Sequence, residues 1–185
     1  MIVFLDLDGV LVHLQYNPSK RKLIKDFDPE CVEILNYLVN YHDAEIVISS
    51  CWRRHYPFDD LCNMLELAGV GEVIIDTTGT EDNDLTRGQR ILKWLSECDR
   101  SEDYLVIDDE SAGIIDHIPE EKFIHVSDGW MTNGLRYEHI KPHVRQEWLC
   151  PQCQGNLKKK PDTAQGIKHC ERCGAGWHIL QTSDG

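Results

Sequence analysis

Short apolar runs alternate with longer segments of helical spacing along most of this chain. Residues 2–5, 45–48, 73–75, 104–107 and 123–126 are rich in Ile, Val, Leu, Phe and Tyr and are bounded by polar or turn residues, which predicts strands. Between them, Asp28-Pro29 reads as an N-cap followed by a first-turn proline, and Val32, Leu35, Leu38 and Val39 then mark one face of a helix. Residues 59–68 carry Leu61, Met64, Leu65 and Leu67, and residues 88–98 carry Ile91, Leu92 and Leu95, at the same kind of spacing. Strands alternating with helices predict an α/β fold with a Rossmann-like, mostly parallel sheet covered on both faces. The helical and strand periods stop at the polar stretch 142–146, so a first domain is expected over 1–147 and a second over 148–185.

Composition narrows the class. The 185 residues are 41% apolar and 28% charged, as in a globular protein, and no stretch is long and apolar enough to span a membrane. No basic segment followed by a cleavable apolar one precedes the first strand, so a cytoplasmic protein is expected. The net charge is −13, and it is unevenly divided: residues 1–149 hold 14 Lys and Arg against 29 Asp and Glu, residues 150–185 hold 5 against 3. An acidic body of this kind argues against a surface that grips nucleic acid throughout, since phosphate affinity rests on Lys and Arg. A local basic groove remains compatible with it.

The candidate chemistry lies at the C-terminal ends of the expected strands, where open α/β sheets bind ligands. Asp6 and Asp8 end the first strand, and Gly9 lets the chain turn away sharply; Ser49-Ser50 ends the second; Arg87 opens a helix; Asp108-Asp109 ends the fourth. A phosphate ester repels nucleophiles, so a carboxylate that attacks it needs a divalent cation and fixed donors to absorb the charge. Several carboxylates around a hard cation suit Mg²⁺. Asp6 then serves as nucleophile, Asp8 as acid and base, and a serine hydroxyl with an arginine clamps the phosphoryl oxygens.

With these residues the chain resembles the haloacid dehalogenase (HAD) superfamily of phosphohydrolases over about residues 1–140, through Asp6-Leu7-Asp8-Gly9-Val10, the serine after a strand, a basic residue before a helix, and the acidic pair. The resemblance implies Asp6 as nucleophile, Asp8 as acid/base, and Mg²⁺ held by Asp6, the Asp8 carbonyl and Asp108, with Asp109 beside it. It places the serine motif on Ser49, with Ser50 as the alternative, and the basic motif on Arg87, with Arg90, Arg53 and Arg54 as alternatives. The 40 residues between Asp8 and Ser49, like those between Ser50 and Arg87, leave no room for a sizeable cap domain, so an open, capless site is expected. In the resembled superfamily such sites often take bulky or polymeric substrates.

A narrower similarity, to HAD domains of RNA-repair proteins and polynucleotide phosphatases, rests on Ser49-Ser50-Cys51-Trp52-Arg53, on residues 87–95, on Val106-Ile107-Asp108-Asp109-Glu110 and on Thr132-Asn133-Gly134-Leu135. It implies a phosphorylated nucleotide or nucleic-acid end as substrate. Trp52 then has two readings, a platform for a base or a packing residue at a helix start, and Arg53 or Arg54 is placed to hold a second phosphate. A mononucleotide phosphatase and a non-catalytic module binding nucleic acid or protein are the competing readings.

The tail has its own signature. Cys150-Pro151-Gln152-Cys153 and Cys170-Glu171-Arg172-Cys173 form two CxxC pairs at the spacing of a four-thiolate structural Zn²⁺ site, resembling a zinc ribbon. So short a segment buries too little apolar area to fold alone, and metal binding would supply the difference. The other cysteines, at 31, 51, 62 and 98, are scattered, which fits reduced thiols better than a disulfide framework. His169 and His178 are alternative ligands, and Lys158-Lys159-Lys160 is a candidate contact to a nucleic-acid backbone.

Overall fold

The computed structural model describes residues 1–14, 27–79, 84–98, 103–127, 129, 131 and 133–144, together with the strand backbones of 157–159, 167–170 and 176–178. The chain divides into two compact units, Met1–Ile140 and Lys141–Gly185. The boundary expected at 147/148 lies outside the described residues.

The first unit is built on five parallel strands, β1 (Ile2–Leu5), β2 (Glu45–Ile48), β3 (Ile74–Thr77), β4 (Tyr104–Asp108) and β5 (Phe123–His125), in the order β3-β2-β1-β4-β5. The α/β Rossmann-like architecture read from the apolar runs is therefore the one observed. β1 is central, with Ile2 opposite Glu45 on one side and Tyr104 on the other, and all four of its residues are fully buried. That explains its uninterrupted apolar sequence, since a strand covered on both faces has no polar side to show. The strand order reverses at β1, which makes its C-terminal end the crevice of the fold.

Helices α1 (Pro29–His42), α2 (Phe58–Leu67), α3 (Arg87–Glu97) and the single turn α4 (Tyr137–Ile140) accompany the sheet. One core cluster joins Ile2, Phe4, Val47 and Val106 of the strands to Ile91 and Trp94 of α3, with Ile114 and Ile118. Phe4 and Trp94 meet edge to face at 5.5 Å, a favoured aromatic geometry. The Trp94 indole N–H donates to Asp76 Oδ2 at 2.7 Å, which lets the strand carry an acid and run two residues beyond the apolar stretch expected at 73–75. In α2, Leu61, Met64 and Leu65 form the buried stripe, and Leu67, expected with them, is 80% exposed. It lies about 200° around the helix from Leu65, off the covered face.

Asp28 caps α1, accepting the Glu30 N–H at 2.9 Å, and Pro29 takes the first helical position as the sequence predicts. Its second oxygen enters a buried network that the local pattern did not reveal. His13 Nε2 lies 2.8 Å from Asp28 Oδ2, Arg136 Nη2 donates to the same oxygen at 2.9 Å, and Arg136 Nη1 donates to Cys31 Sγ at 2.8 Å. Three segments are thus tied together: the turn after β1, the start of α1 and residues 133–136. The Leu135 N–H adds a bond to the Val10 carbonyl at 2.8 Å. His13, Asp28 and Cys31 are close enough to share a metal ion, but the Arg136 guanidinium already gives the group its positive charge.

The second unit contains a three-stranded antiparallel sheet, β6 (Leu157–Lys159), β7 (Ile167–Cys170) and β8 (Gly176–His178), in the order β6-β7-β8. Of the expected zinc ligands, Cys150, Cys153 and Cys173 lie outside the described residues, and Cys170 is placed by its backbone at the end of β7. Among the described residues, no helix is long and apolar enough to cross a membrane.

Candidate active site

Backbone bonds carry the sheet ladder one residue past each strand and fix the residues at its rim. Asp6 N–H donates to the Ile107 carbonyl at 3.0 Å, Ser49 N–H to Leu5 at 2.9 Å and Thr78 N–H to Ile48 at 3.1 Å. Asp6 and Asp108 therefore stand on neighbouring strands at the reversal point, with Ser49 on the other side of Asp6. All three are buried, and Asp8 and Asp109 are partly exposed.

Gly9 makes the tight approach possible. Its φ is +71°, and a Cβ there would fall 2.1 Å from Asp109 Oδ2. Only a residue without a side chain allows the turn after Asp8 to pass so close to the second acidic pair.

Arg87 reaches this crevice from the first position of α3. The helix begins with a capping box, Gln89 N–H to Thr86 Oγ1 at 3.3 Å and Thr86 N–H to Gln89 Oε1 at 2.9 Å, so its start is well defined. From there Arg87 Nη1 donates to Asp6 Oδ2 at 2.8 Å and also to Asp108 Oδ2. Burial alone would lower the Arg87 pKa, but the charges of Asp6 and Asp108 hold it above the ordinary value.

The carboxylates have the opposite problem. Burial and then the Asp6 charge raise Asp108 well above the usual carboxylate range, although Arg87 and the Glu110 N–H, 2.9 Å from its Oδ1, favour its ionised form. Burial, Asp6 and Glu110 push Asp109 up to about 6. Both pKa values are raised, which favours the charged form of Arg87 and the neutral form of Asp108: burial and the neighbouring Asp6 outweigh the one guanidinium that these carboxylates share. With Asp6, Asp108 and Asp109, the three acids within ligand distance of one another, all ionised, Arg87 leaves two negative charges unbalanced. A divalent cation with a preference for oxygen would neutralise the remainder, and Asp6 Oδ1 is a buried oxygen without a hydrogen-bond partner. The donor set fits Mg²⁺.

Asp8 is held differently. Trp52, on the 3-10 turn Cys51–Arg54, donates its indole N–H to Asp8 Oδ2 at 2.8 Å, and Cys51 Sγ lies 3.8 Å from the same oxygen. Burial raises the Asp8 pKa, while the Trp52 bond works against that rise. Trp52 is itself buried, with ring centroids 5.7 Å from Phe27 and 5.8 Å from Tyr56. Of its two sequence readings, the packed one describes its position, with an added polar link to Asp8 that the sequence did not suggest.

Arg53 is buried and braces the loop from beneath. Its Nη1 donates to the carbonyls of Ser49 at 2.9 Å and Ser50 at 2.5 Å, and its Nε to Gly79 at 2.7 Å. Ser50 caps the turn toward Trp52 N–H, which leaves Ser49 Oγ, buried and without a partner, as the hydroxyl nearest the Asp6 carboxylate in the strand order. The structure thus brings Asp6, Asp108, Asp109 and Arg87 into one cluster, puts Ser49 and Asp8 at its rim, and gives Trp52 and Arg53 supporting contacts.

A family model described as the HAD domain in Swiss Army Knife RNA repair proteins matches residues 2–140. No curated protein and no solved structure matches the chain. HAD domains are in general phosphatase-type hydrolases that use Mg²⁺. Matched over three-quarters of its length, with parallel β1–β5 beneath an acidic crevice, the chain belongs to the HAD superfamily, in the family of HAD domains found in Swiss Army Knife RNA repair proteins.

Proposed function

We propose that the protein is a Mg²⁺-dependent phosphomonoesterase acting on a nucleic-acid phosphate end or a nucleotide. The observation that carries the reading is the cluster of Asp6, Asp108 and Asp109 at the sheet reversal, balanced by one guanidinium and two charges short of neutrality. A converging set of this kind destabilises the fold by itself and gains a purpose when a cation and a phosphoryl group enter it.

In this reading Asp6 attacks phosphorus. The new Asp6 O–P bond forms as the P–O bond to the leaving group breaks, and Asp8 delivers a proton to the departing oxygen. Asp8 then takes a proton from water as that water attacks the acyl phosphate, which releases inorganic phosphate and restores the Asp6 carboxylate. Ser49 Oγ has its donor free for a phosphoryl oxygen, and Arg87 Nη1 bridges the Asp6 and Asp108 carboxylates. Trp52 fixes one oxygen of Asp8 and leaves the other for the leaving group. Asp6, Asp108 and Asp109 would hold Mg²⁺, which supplies charge neutralisation for the transferring group.

The second unit belongs to the same proposal as a Zn²⁺ ribbon over residues 148–185, with Cys150, Cys153, Cys170 and Cys173 as ligands. The small antiparallel sheet supports it, because β7 ends on Cys170, the first cysteine of the second CxxC. Lys158, Lys159 and Lys160 give that unit its candidate contact to a nucleic-acid backbone.

The test is phosphate release with Mg²⁺ from 3′- and 5′-phosphorylated oligonucleotides, the matching mononucleotides and an aryl phosphate. Preference for an oligonucleotide end supports the reading in full. Preference for mononucleotides places the enzyme in nucleotide metabolism, and no release from any of them overturns it.

A further inference from the structure

Four buried polar atoms without partners line the rims of β1, β2 and β3. Asp6 Oδ1 and Ser49 Oγ belong to the proposed phosphoryl site, but that chemistry does not use Arg53 Nη2, on the turn after β2, or Thr78 Oγ1, at the end of β3. The two belong together, since the carbonyl that Arg53 Nε holds is that of Gly79, the residue after Thr78. Arg53 is 6% exposed and Thr78 7% exposed.

Bracing the serine loop accounts for Arg53 Nε and Nη1. It leaves Nη2 unspent, and it does not explain why the charge is there. Arg53 makes no ion pair among the described residues, and the charges felt most strongly around it are those of Arg90, Arg54 and Arg87. Burial, followed by these three guanidinium groups, pulls its pKa down to about 10. Arg54, exposed beside it, also carries no ion pair among the described residues. In a body with 29 acidic residues against 14 basic ones, Arg53 and Arg54 stand out as adjacent guanidinium groups with no carboxylate partner among the described residues. Buried like charges are unfavourable unless an opposite charge joins them, and a guanidinium with a nearby hydroxyl suits a phosphate group.

We propose that Arg53 Nη2, Thr78 Oγ1 and the Arg54 guanidinium form a second anion subsite at the ends of β2 and β3, which takes the phosphate adjacent to the scissile one in a nucleic-acid end or nucleoside bisphosphate. This rests on the phosphomonoesterase reading and specifies its substrate class. Thr78, at the end of β3, lies about one strand spacing, roughly 5 Å, from Ser49 at the end of β2 and about two from Asp6 on β1, a span that admits the neighbouring phosphate of the same strand. A substrate bearing a single phosphate leaves it empty.

The test compares kcat/KM for thymidine 3′,5′-bisphosphate with the better of the two thymidine monophosphates, in the full chain with Mg²⁺ and in Arg54→Gln and Thr78→Val. The wild type is expected to favour the bisphosphate roughly tenfold, and each variant to reduce that ratio by about fivefold or more, the range of one hydrogen bond to a charged group. A wild-type ratio near one, or a ratio unchanged in both variants, overturns the subsite. If no phosphate is released from any substrate, the phosphatase reading fails instead. Calorimetric binding of the same compounds to Asp6→Asn then decides the subsite separately: tighter binding of the bisphosphate, lost in Asp6→Asn combined with Thr78→Val, supports it, and equal binding of mono- and bisphosphate overturns it.

Discussion

Trp52→Phe isolates the contact that orients Asp8. Phenylalanine keeps an aromatic ring between Phe27 and Tyr56 but removes the indole N–H, whose bond to Asp8 Oδ2 is 2.8 Å long. A hydrogen bond to a charged group contributes about 1.5–3 kcal/mol, and Asp8 is partly exposed, so water replaces some of the loss and the low end applies. If the bond serves to hold Asp8 against the leaving group, about 1.5 kcal/mol appears as an approximately tenfold fall in kcat. KM should change little, because the polar contact of the indole is to Asp8 rather than to Asp6 or Ser49. The assay is steady-state phosphate release from an oligonucleotide end, with circular dichroism melts to show that the variant is folded. An unchanged kcat in a folded Trp52→Phe protein would refute the positioning argument. A large rise in KM with kcat preserved would instead return Trp52 to the role of a base-stacking residue.

Other consequences follow from the same contacts. Asp28→Asn keeps a good helix cap but removes the charge facing Arg136; breaking a buried pair costs about 3–5 kcal/mol, and partial exposure of Arg136 reduces this to about 2 kcal/mol, read as a lower urea midpoint at constant slope. Burial would raise the Asp28 pKa, but His13, the Glu30 N–H and Arg136 together hold it below the ordinary value. Its stabilising contribution is therefore present above the unfolded-state pKa of about 3.9 and is lost as pH falls through the lower folded value, so Asp28→Asn should flatten the acid limb of a stability-versus-pH curve. Gly9→Ala should cost at least about 1 kcal/mol and depress turnover by displacing Asp109, which a paired melt and rate measurement would show. Removing Zn²⁺ with a chelator should unfold the second unit, seen as lost amide protection over residues 141–185; full protection in the metal-free protein would contradict the ribbon.

The fold was largely legible because its signals are local. β1, β2 and β4 are short apolar runs, as buried parallel strands must be, and Asp28-Pro29 marks a helix start through a contact two residues long. The same holds for Asp6, Asp8, Ser49, Arg87 and Asp108, each of which sits at the end or start of an element, where the topology assembles the crevice. The unread features depend on distant partners. The bond from Trp52 to Asp8 spans 44 positions, and the network of His13, Asp28, Cys31 and Arg136 spans more than 100. An arginine after a strand has no sequence mark that separates a donor to substrate from one that braces main-chain carbonyls, so the sequence offers Arg53 or Arg54 for a second phosphate; the structure shows Arg53 bracing the Ser49 and Ser50 carbonyls, with Nη2 unpartnered. Leu67 failed for a simpler reason, since apolar identity was counted without its angular position on α2.

The central claim, that Asp6 carries the phosphoryl group, is tested most directly by acid quenching during turnover of a substrate with a labelled terminal phosphate. The account predicts Mg²⁺-dependent label on the peptide containing Asp6, and neither label nor phosphate release in folded Asp6→Asn. Phosphate release at the wild-type rate by Asp6→Asn, or label on a different peptide, would contradict it.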